Sequence, residues 1–276
     1  MTPTHLLVFD LETVPDETLL PEDRNPEAFP KPIQHSIVSL GFLLAKIHAD
    51  GQQERYEIRR LGTVGQDRRK EREILAGFWQ IIDQHRPRVV TWNGRGFDIP
   101  VLKQRSLIYG VTAWEWHHTE PRFGYDYRYN PNWHCDLMDV LCDNGASPRL
   151  GLDETAAAIG LPGKIEGHGS EVAEMLAAGE YDRIHRYCEG DVLNTYVLYL
   201  RWAYFSSRLS ARGHNASVAN LVEYLESVSA KRPHLGTFLD TWRQNQQPYA
   251  MLVPEPAEKP GPQPPESHLR SEDVLP

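Results

Sequence analysis

The sequence predicts an α/β fold whose sheet begins as a meander and continues with strand and helix in alternation. Three stretches carry this expectation. Residues 5–12 hold the unbroken apolar run Leu6, Leu7, Val8 and Phe9 with turn residues Pro15 and Asp16 beyond it, the pattern of a short buried strand with carboxylates at its end. Residues 36–48 and 54–61 read as strands joined through Asp50-Gly51, a dipeptide that favours a hairpin turn. Within 67–85, Ile74, Phe78, Ile81 and Ile82 recur at the spacing of one helix face before Pro87, and the β-branched run 88–92 follows.

The other elements follow in order. Pro15, Pro21, Pro26, Pro30 and Pro32 break residues 15–35 too often for a regular element, so a long loop is expected after the first strand. Asn93-Gly94 ends the strand at 88–92, and a helix over 98–109 tolerates Pro100 in its first turn. Residues 111–133 form an aromatic, Arg-containing insertion. A short strand is expected to end near Asp136, with helices near 137–144, 152–159, 170–178, 181–206, 214–230 and 234–246. Beyond Pro248 come seven further prolines and few large apolar residues, the composition of a disordered tail over 248–276. One domain over 1–247 is expected, with a core of about 5–206 and a helical extension of about 207–247.

Composition narrows the function. Hydrophobic residues at 40% and charged residues at 24% exclude collagen, coiled coil and wholesale disorder. The most apolar stretch, 37–47, is interrupted by Ser39, Gly41 and Lys46 and falls short of the ~20 apolar residues that span a bilayer. The first residues lack a basic region and place Asp10 and Glu12 where a signal peptide needs apolar ones, so a cytoplasmic protein with no membrane segment is expected. Cys135, Cys142 and Cys188 contain no C-x-x-C, which predicts reduced, buried thiols. A formal net charge of -9 argues against a protein that coats DNA by overall positive charge. It suits an enzyme that collects carboxylates to hold metal ions for phosphate chemistry.

Three short motifs supply such carboxylates. Asp10-Leu11-Glu12 places two acids on one face of a strand. With 16 Asp and 22 Glu in the chain, about one such pair arises by chance. Asn93-Gly94-Arg95-Gly96-Phe97-Asp98 lies between a strand and a helix, at the sheet edge where open α/β folds bind ligands; Asp98 reads equally as the helix N-cap. In Tyr187-Cys188-Glu189-Gly190-Asp191, Tyr187 and Asp191 project together from one helix face. The alternatives there are a core aromatic and a surface charge. Gly190, costing ~1 kcal/mol against Ala in a helix interior, predicts close packing at its position.

In this order, FDLET, NGRGFD and YCEGD resemble the three exonuclease motifs of the DEDD superfamily. The resemblance spans about residues 5–206 and implies a ribonuclease H-like fold, a mixed central sheet with helices on both faces, here with extra C-terminal helices. The His-type branch would place His five residues before the last Asp, where this chain has Arg186; Tyr187, four before it, matches the Tyr-type branch. HCDLMDVL, GLDETAAAIGLPGK and DVLNTYVLYLR look like the bacterial group of predicted 3′-5′ exonucleases related to the proofreading domain of family B DNA polymerases.

The implied activity is metal-dependent 3′-5′ exonuclease action on single-stranded nucleic acid with a free 3′ end, DNA favoured, using two Mg²⁺ or Mn²⁺ ions. By resemblance, Asp10, Glu12 and Asp191 hold the ion that activates water, Asp10 and Asp98 contact the second, Tyr187 orients the attacking water, and Glu12 lies near the terminal 3′-hydroxyl. Asn93 and Phe97, with Arg122, Tyr125, Tyr127 and Tyr129 of the insertion, are the expected substrate contacts, since aromatics among arginines stack bases and meet phosphates. Arg128 belongs to the same mixture, and covering the core is the competing role for these aromatics. Asp136 reads as a helix cap or a supporting acid and Asp139 as a helix-surface charge. His117, His118, His134 and Cys135 lack a zinc spacing, and residues 164–168 read as a Gly-rich turn, either a structural loop or one that offers a phosphate contact. The alternative function is a catalytically inactive ribonuclease H-like module that binds nucleic acid or a protein partner.

Overall fold

The computed structural model describes residues 2–25, 28–51, 53–120, 122–163, 169–245 and 247–255. Its sheet consists of β1 His5–Pro15, β2 His35–Asp50, β3 Gln53–Gly65, β4 Arg88–Thr91 and β5 His134–Asp136, in the spatial order β3-β2-β1-β4-β5. β2 runs antiparallel to both neighbours, while β1, β4 and β5 are parallel. The mixed sheet with this order is the expected ribonuclease H-like arrangement: a meander, then two parallel strands added beyond β1 by crossovers. The helices are α1 Glu71–His85, α2 Asp98–Tyr109, α3 Trp114–His118, α4 Leu137–Leu141, α5 Leu152–Ala158, α6 Val172–Ala177, α7 Tyr181–Phe205, α8 Ala211–Ser229 and α9 Pro233–Gln244.

β1 decides the layering because its side chains alternate between faces. Leu7, Phe9 and Leu11 enter one apolar cluster with Ile74, Phe78 and Ile82 of α1 and Leu102 of α2. Leu6 and Val8 enter the other with Tyr196 of α7, Leu221 of α8 and Phe238 of α9. By the same alternation Asp10 and Glu12 point to the α7 side, where the apolar run stops. Helices therefore cover both faces, as expected, and the acids lie at one edge of the α7 layer. Among the described residues, no helix is long and apolar enough to cross a membrane, and all three cysteines are buried free thiols.

Several boundaries differ from the sequence expectation. β1 continues past Glu12 to Pro15 because β2 pairs with it throughout, through a register shift between Glu12 and Thr13. β2 and β3 run longer than the pattern suggests, joined at Asp50 and Gln53. α1 starts at Glu71 rather than near 67, since Gly65 O accepts from Arg68 and Arg69 N–H in a turn first. Among the described residues the Pro-rich loop holds two single 3-10 turns, Glu17–Leu19 and Pro32–Gln34, where no regular element was expected, and its ends are firmly held. Buried Arg105 of α2 makes paired hydrogen bonds to Glu71, at 2.8 and 2.7 Å, and reaches Asp16 Oδ2 at 2.8 Å and Ile33 O at 3.2 Å. Glu71 also accepts from Ile37 N–H, Ser36 and Tyr109. A buried ion pair satisfied this fully fixes geometry more than it adds stability.

The expected boundary at 248 falls short of the packed chain. Ala250 and Val253 are buried, Trp242 Nε1 donates to Ala250 O at 3.1 Å, and Asn215 exchanges two hydrogen bonds at 3.0 Å with the Val253 backbone. Composition missed this because a few anchoring residues in a Pro-rich segment suffice to dock it. A chain ending at Pro248 should therefore melt several degrees below one ending at Glu255, given about 1.5–3 kcal/mol for a buried Val plus the lost hydrogen bonds. Equal melting temperatures by circular dichroism would show that this docking contributes nothing.

Candidate active site

The candidate site lies at the carboxyl edge of β1, where three separate stretches of chain meet. β1 supplies half-buried Asp10 and buried Glu12, and α7 supplies buried Tyr187, Cys188 and Asp191. Ligand atoms of Asp10, Glu12 and Cys188 lie within 4.8 Å of one another. Asp98, Glu12 and Asp191 lie close enough to Asp10 to act on its charge, and Asp191, Glu12 and Asp10 close enough to act on Tyr187. The Cys188 thiol donates to Asp10 O at 3.5 Å and to its Oδ2 at 3.8 Å. None of the histidines considered for zinc joins this group among the described residues. His134 is buried against Thr91 Oγ1 at 2.9 Å, its pKa held low by desolvation.

Two glycines bring α7 this close. Gly41 is the β2 partner of Asp10, and a Cβ there would lie 2.8 Å from Cys188 Sγ. Gly65 closes β3, and a Cβ there would lie 2.4 Å from His185 Cε1. His185 sits in that space, its Nδ1 hydrogen-bonded to Ser39 Oγ at 2.8 Å and its Nε2 to Asp67 Oδ1 at 3.0 Å. Ser39 is in turn the β2 partner of Glu12. Sequence reasoning missed His185, Cys188, Gly41 and Gly65; the i, i+3 spacing of His185 and Cys188 was the available signal for a shared inward face.

The loop from β4 to α2 brings the fourth acid. Asp98 is not the helix cap: that position belongs to Phe97, and Asp98 starts the helix and accepts from Leu11 N–H at 3.1 Å through Oδ1. It is thereby tied to the strand residue between Asp10 and Glu12. Asp136 does cap α4, accepting from Asp139 N–H at 3.4 Å, and it also accepts from Asn93 and Arg95 N–H at 2.9 and 2.8 Å. It thus braces the loop that carries Asp98. Asn93 holds a left-handed φ of 59°, and its side-chain Oδ1 is buried without a hydrogen-bond partner.

The electrostatics follow from this crowding. The Asp10 carboxyl is pushed well above its usual range, first by desolvation and then by the charges of Asp98, Glu12 and Asp191. Asp98 is pushed up to about 7, again chiefly by desolvation, with Asp136 adding to the shift and two backbone N–H groups opposing it. Burial, then Asp191, Glu12 and Asp10, raise Tyr187, so it stays a neutral phenol. Cys188 stays a thiol for the same reasons. Like charges that shift one another upward form a site that favours a cation.

The expected substrate contacts divide. Tyr125 is a core residue: it is fully buried, stacks on Trp116 at 4.5 Å, and donates to Pro87 O at 2.7 Å. Its ring covers apolar surface that the composition of the insertion could not assign to core or solvent. Arg128 is committed to Asp139 through two hydrogen bonds, and Asp139 is buried rather than a surface charge. Tyr127, Tyr129 and Arg122 are exposed. The insertion is tied to the Asp98 loop by Arg95, which donates to Tyr127 O at 3.3 Å and His134 O at 3.0 Å. Phe97 is half-buried, 4.9 Å from His35 and 5.8 Å from Phe29. Phe29 is 74% exposed, on the loop that Arg105 anchors. A lone Phe in a Pro-rich stretch was its only sequence signal. Gly190 corrects a further expectation, since no atom within 4 Å would meet its Cβ among the described residues. The Gly-rich turn at 164–168 lies outside the described residues.

Comparison with solved structures found similarity to the family B DNA polymerase of the hyperthermophilic archaeon Pyrobaculum calidifontis, at 18% identity and a TM-score of 0.48, covering 80% of this chain and 29% of that one. Exonuclease I (apo) is similar at 11% identity and a TM-score of 0.37, over 85% and 47% of the two chains. E. coli exonuclease I in complex with a dA16 oligonucleotide is similar at 13% and 0.35, over 72% and 44%. This chain thus spans less than half the length of each. A comparison with curated proteins found no match. A family profile described as "Predicted 3'-5' exonuclease related to the exonuclease domain of PolB" matches residues 27–242, a span that includes Asp98, Tyr187 and Asp191 and begins after Asp10 and Glu12. The chain belongs to that family of predicted 3′-5′ exonucleases.

Proposed function

We propose that this protein is a metal-dependent exonuclease that removes nucleotides from the 3′ end of single-stranded nucleic acid, with DNA favoured. The observation that supports the reading is the meeting of Asp10, Glu12, Asp98 and Asp191 with Tyr187 at one sheet edge, in a chain of an exonuclease family. The donor set fits Mg²⁺ or Mn²⁺, hard ions that prefer carboxylate oxygens. Two such ions would neutralise the carboxylate charge that adds to desolvation in raising Asp10. Asp10, Glu12 and Asp191 would hold one, and Asp10 with Asp98 the other. Bound there, the ions supply a water made nucleophilic near neutral pH and stabilise the leaving oxygen.

The side chains of the protein supply orientation. Tyr187, kept a neutral phenol by burial and the charge of Asp191, would set its hydroxyl against the attacking water. The tie from Asp98 to Leu11 N–H keeps the loop acid in register with Asp10 and Glu12. Phe97 and Phe29 offer stacking surface next to Asp98, and exposed Tyr127, Tyr129 and Arg122 offer base and phosphate contacts farther out. An inactive binding module would have no use for four acids whose proximity disfavours the folded state. Their presence together with Tyr187 favours the enzyme.

A time course on 3′- and 5′-labelled single-stranded DNA and RNA tests the reading. Products should shorten from the 3′ end one nucleotide at a time with Mg²⁺ or Mn²⁺ and stop in EDTA; cleavage undiminished by EDTA contradicts it. Tyr187→Phe should keep the fold and the metal affinity yet lower kcat by roughly 10²–10⁴ at saturating metal, the worth of a positioned acid-base group. A near-normal kcat would reduce Tyr187 to a packing residue.

A further inference from the structure

A groove of about 450 Å³ runs between the flank of α1 and strands β2 and β3, on the face of the sheet opposite Asp10 and Glu12. Register fixes that face: Leu40 and Phe42 of the groove floor pair with Leu11 and Phe9, which point to the α1 layer, and the two carboxylates alternate away from it. Phe78 completes the buried floor, and half-buried Val64 and Ile81 form the walls. Two glycines keep the groove open. Gly62 is the β3 partner of Phe42, and Gly77 lies on the α1 flank that lines the groove. A Cβ added at either would meet nothing within 4 Å among the described residues.

The rim is basic. Arg60, Arg69 and Arg72 line the groove, with Glu73 as its single acid among the described residues, in a chain whose formal net charge is -9. These three arginines carry no countercharge. Ion pairs in this stretch join Arg59 to Glu57 and Arg68 to Asp67, and buried Glu71 is engaged by Arg105; among the described residues none includes Arg60, Arg69 or Arg72. Arg60 instead lies over the Phe42 ring at 5.5 Å, and Arg72 donates to the Tyr109 carbonyl at 3.3 Å. Glu73 accepts from Lys70 N–H at 3.0 Å. Three positive charges therefore face one negative charge across an apolar floor.

That combination selects its complement. Phe42 and Phe78 are buried, so the floor offers little ring face on which bases could stack. A charged rim around an apolar floor matches a segment that carries an apolar anchor between acidic residues. From Arg60 to Val64 the groove follows β3 for about 13 Å, the length of four extended residues. We propose that this groove docks an acidic peptide segment of a partner protein, with an apolar side chain seated over Phe42 and carboxylates against Arg60, Arg69 and Arg72. Docking there leaves the carboxylate edge of the other face accessible.

Two variants of the full chain separate charge from shape. Arg60→Glu with Arg72→Glu reverses the rim at two exposed positions, and Gly77→Leu fills the groove at a helix position where Leu is more favourable than Gly; circular dichroism checks that both fold. Binding is read by fluorescence anisotropy with a fluorescein-labelled peptide of Asp, Glu and Gly around a central Ile-Leu pair. One control peptide has Gly in place of Ile-Leu, and another has Lys in place of the acids. The wild type should bind the acidic Ile-Leu peptide saturably and about tenfold more tightly than either control, and each variant should weaken that binding about tenfold. Absence of binding to the wild type, equal binding of either control, or unchanged affinity in either folded variant would overturn the docking assignment. Binding of oligo-dT that is lost in Arg60→Glu with Arg72→Glu, with no peptide bound, would overturn it in favour of nucleic acid. None of these outcomes depends on the exonuclease reading.

Discussion

The distance between α7 and the sheet governs everything at this site. Asp10 and Glu12 belong to β1 and Tyr187 and Asp191 to α7, so they share a site only if the helix backbone approaches the strands closely. Gly41 and Gly65 permit that approach, the first receiving Cys188 and the second His185, at positions where any side chain would collide with the helix. The two contacts lie on neighbouring strands and three residues apart on the helix. They fix both the height of α7 and its rotation. Helix rotation then dictates that Tyr187 and Asp191 face the acids of β1, while Glu189 turns to Arg232 and His234.

A second constraint runs against stability. Gathering carboxylates where burial already disfavours their charge raises Asp10 and Asp98 and must be offset by the rest of the fold. The two apolar clusters, one on each face of β1, supply that support. The polar clamp of Arg105, Glu71 and Asp16 then holds the ends of the Pro-rich loop, whose Phe29 lies 5.8 Å from Phe97, the residue before Asp98. Strain of this kind at a sheet edge, supported by an ordinary core, is how a scaffold carries a cation-binding site.

Much of this was legible in the sequence. The apolar run of β1, the hairpin signal at Asp50 and the helix spacing around Phe78 were local patterns that tertiary contacts reinforced, so the layer order followed from them. The acids were legible because motif spacing encodes their positions on strand, loop and helix. What stayed hidden depends on pairing between distant segments. Gly41 and Gly65 look like unremarkable strand glycines until α7 packs on them. Asp98 resembled a cap because nothing local reveals the Leu11 N–H waiting 87 residues away. Tyr125 and Tyr129 are chemically alike, and only the neighbouring Trp116 decides that one is core and the other exposed. Docking of Val253 depends on Asn215, a partner that composition does not weigh.

The most direct measurement is Mn²⁺ affinity by calorimetry in the wild type and in Gly41→Ala. The added methyl would meet Cys188 Sγ, Cys188 O at 3.2 Å and Val192 Cγ2 at 3.2 Å, so α7 must lift by a few tenths of an ångström while remaining helical. The account predicts Mn²⁺ binding at least about tenfold weaker, a change of ~1.4 kcal/mol, with helix content unchanged. Full Mn²⁺ affinity in a folded Gly41→Ala protein would contradict it.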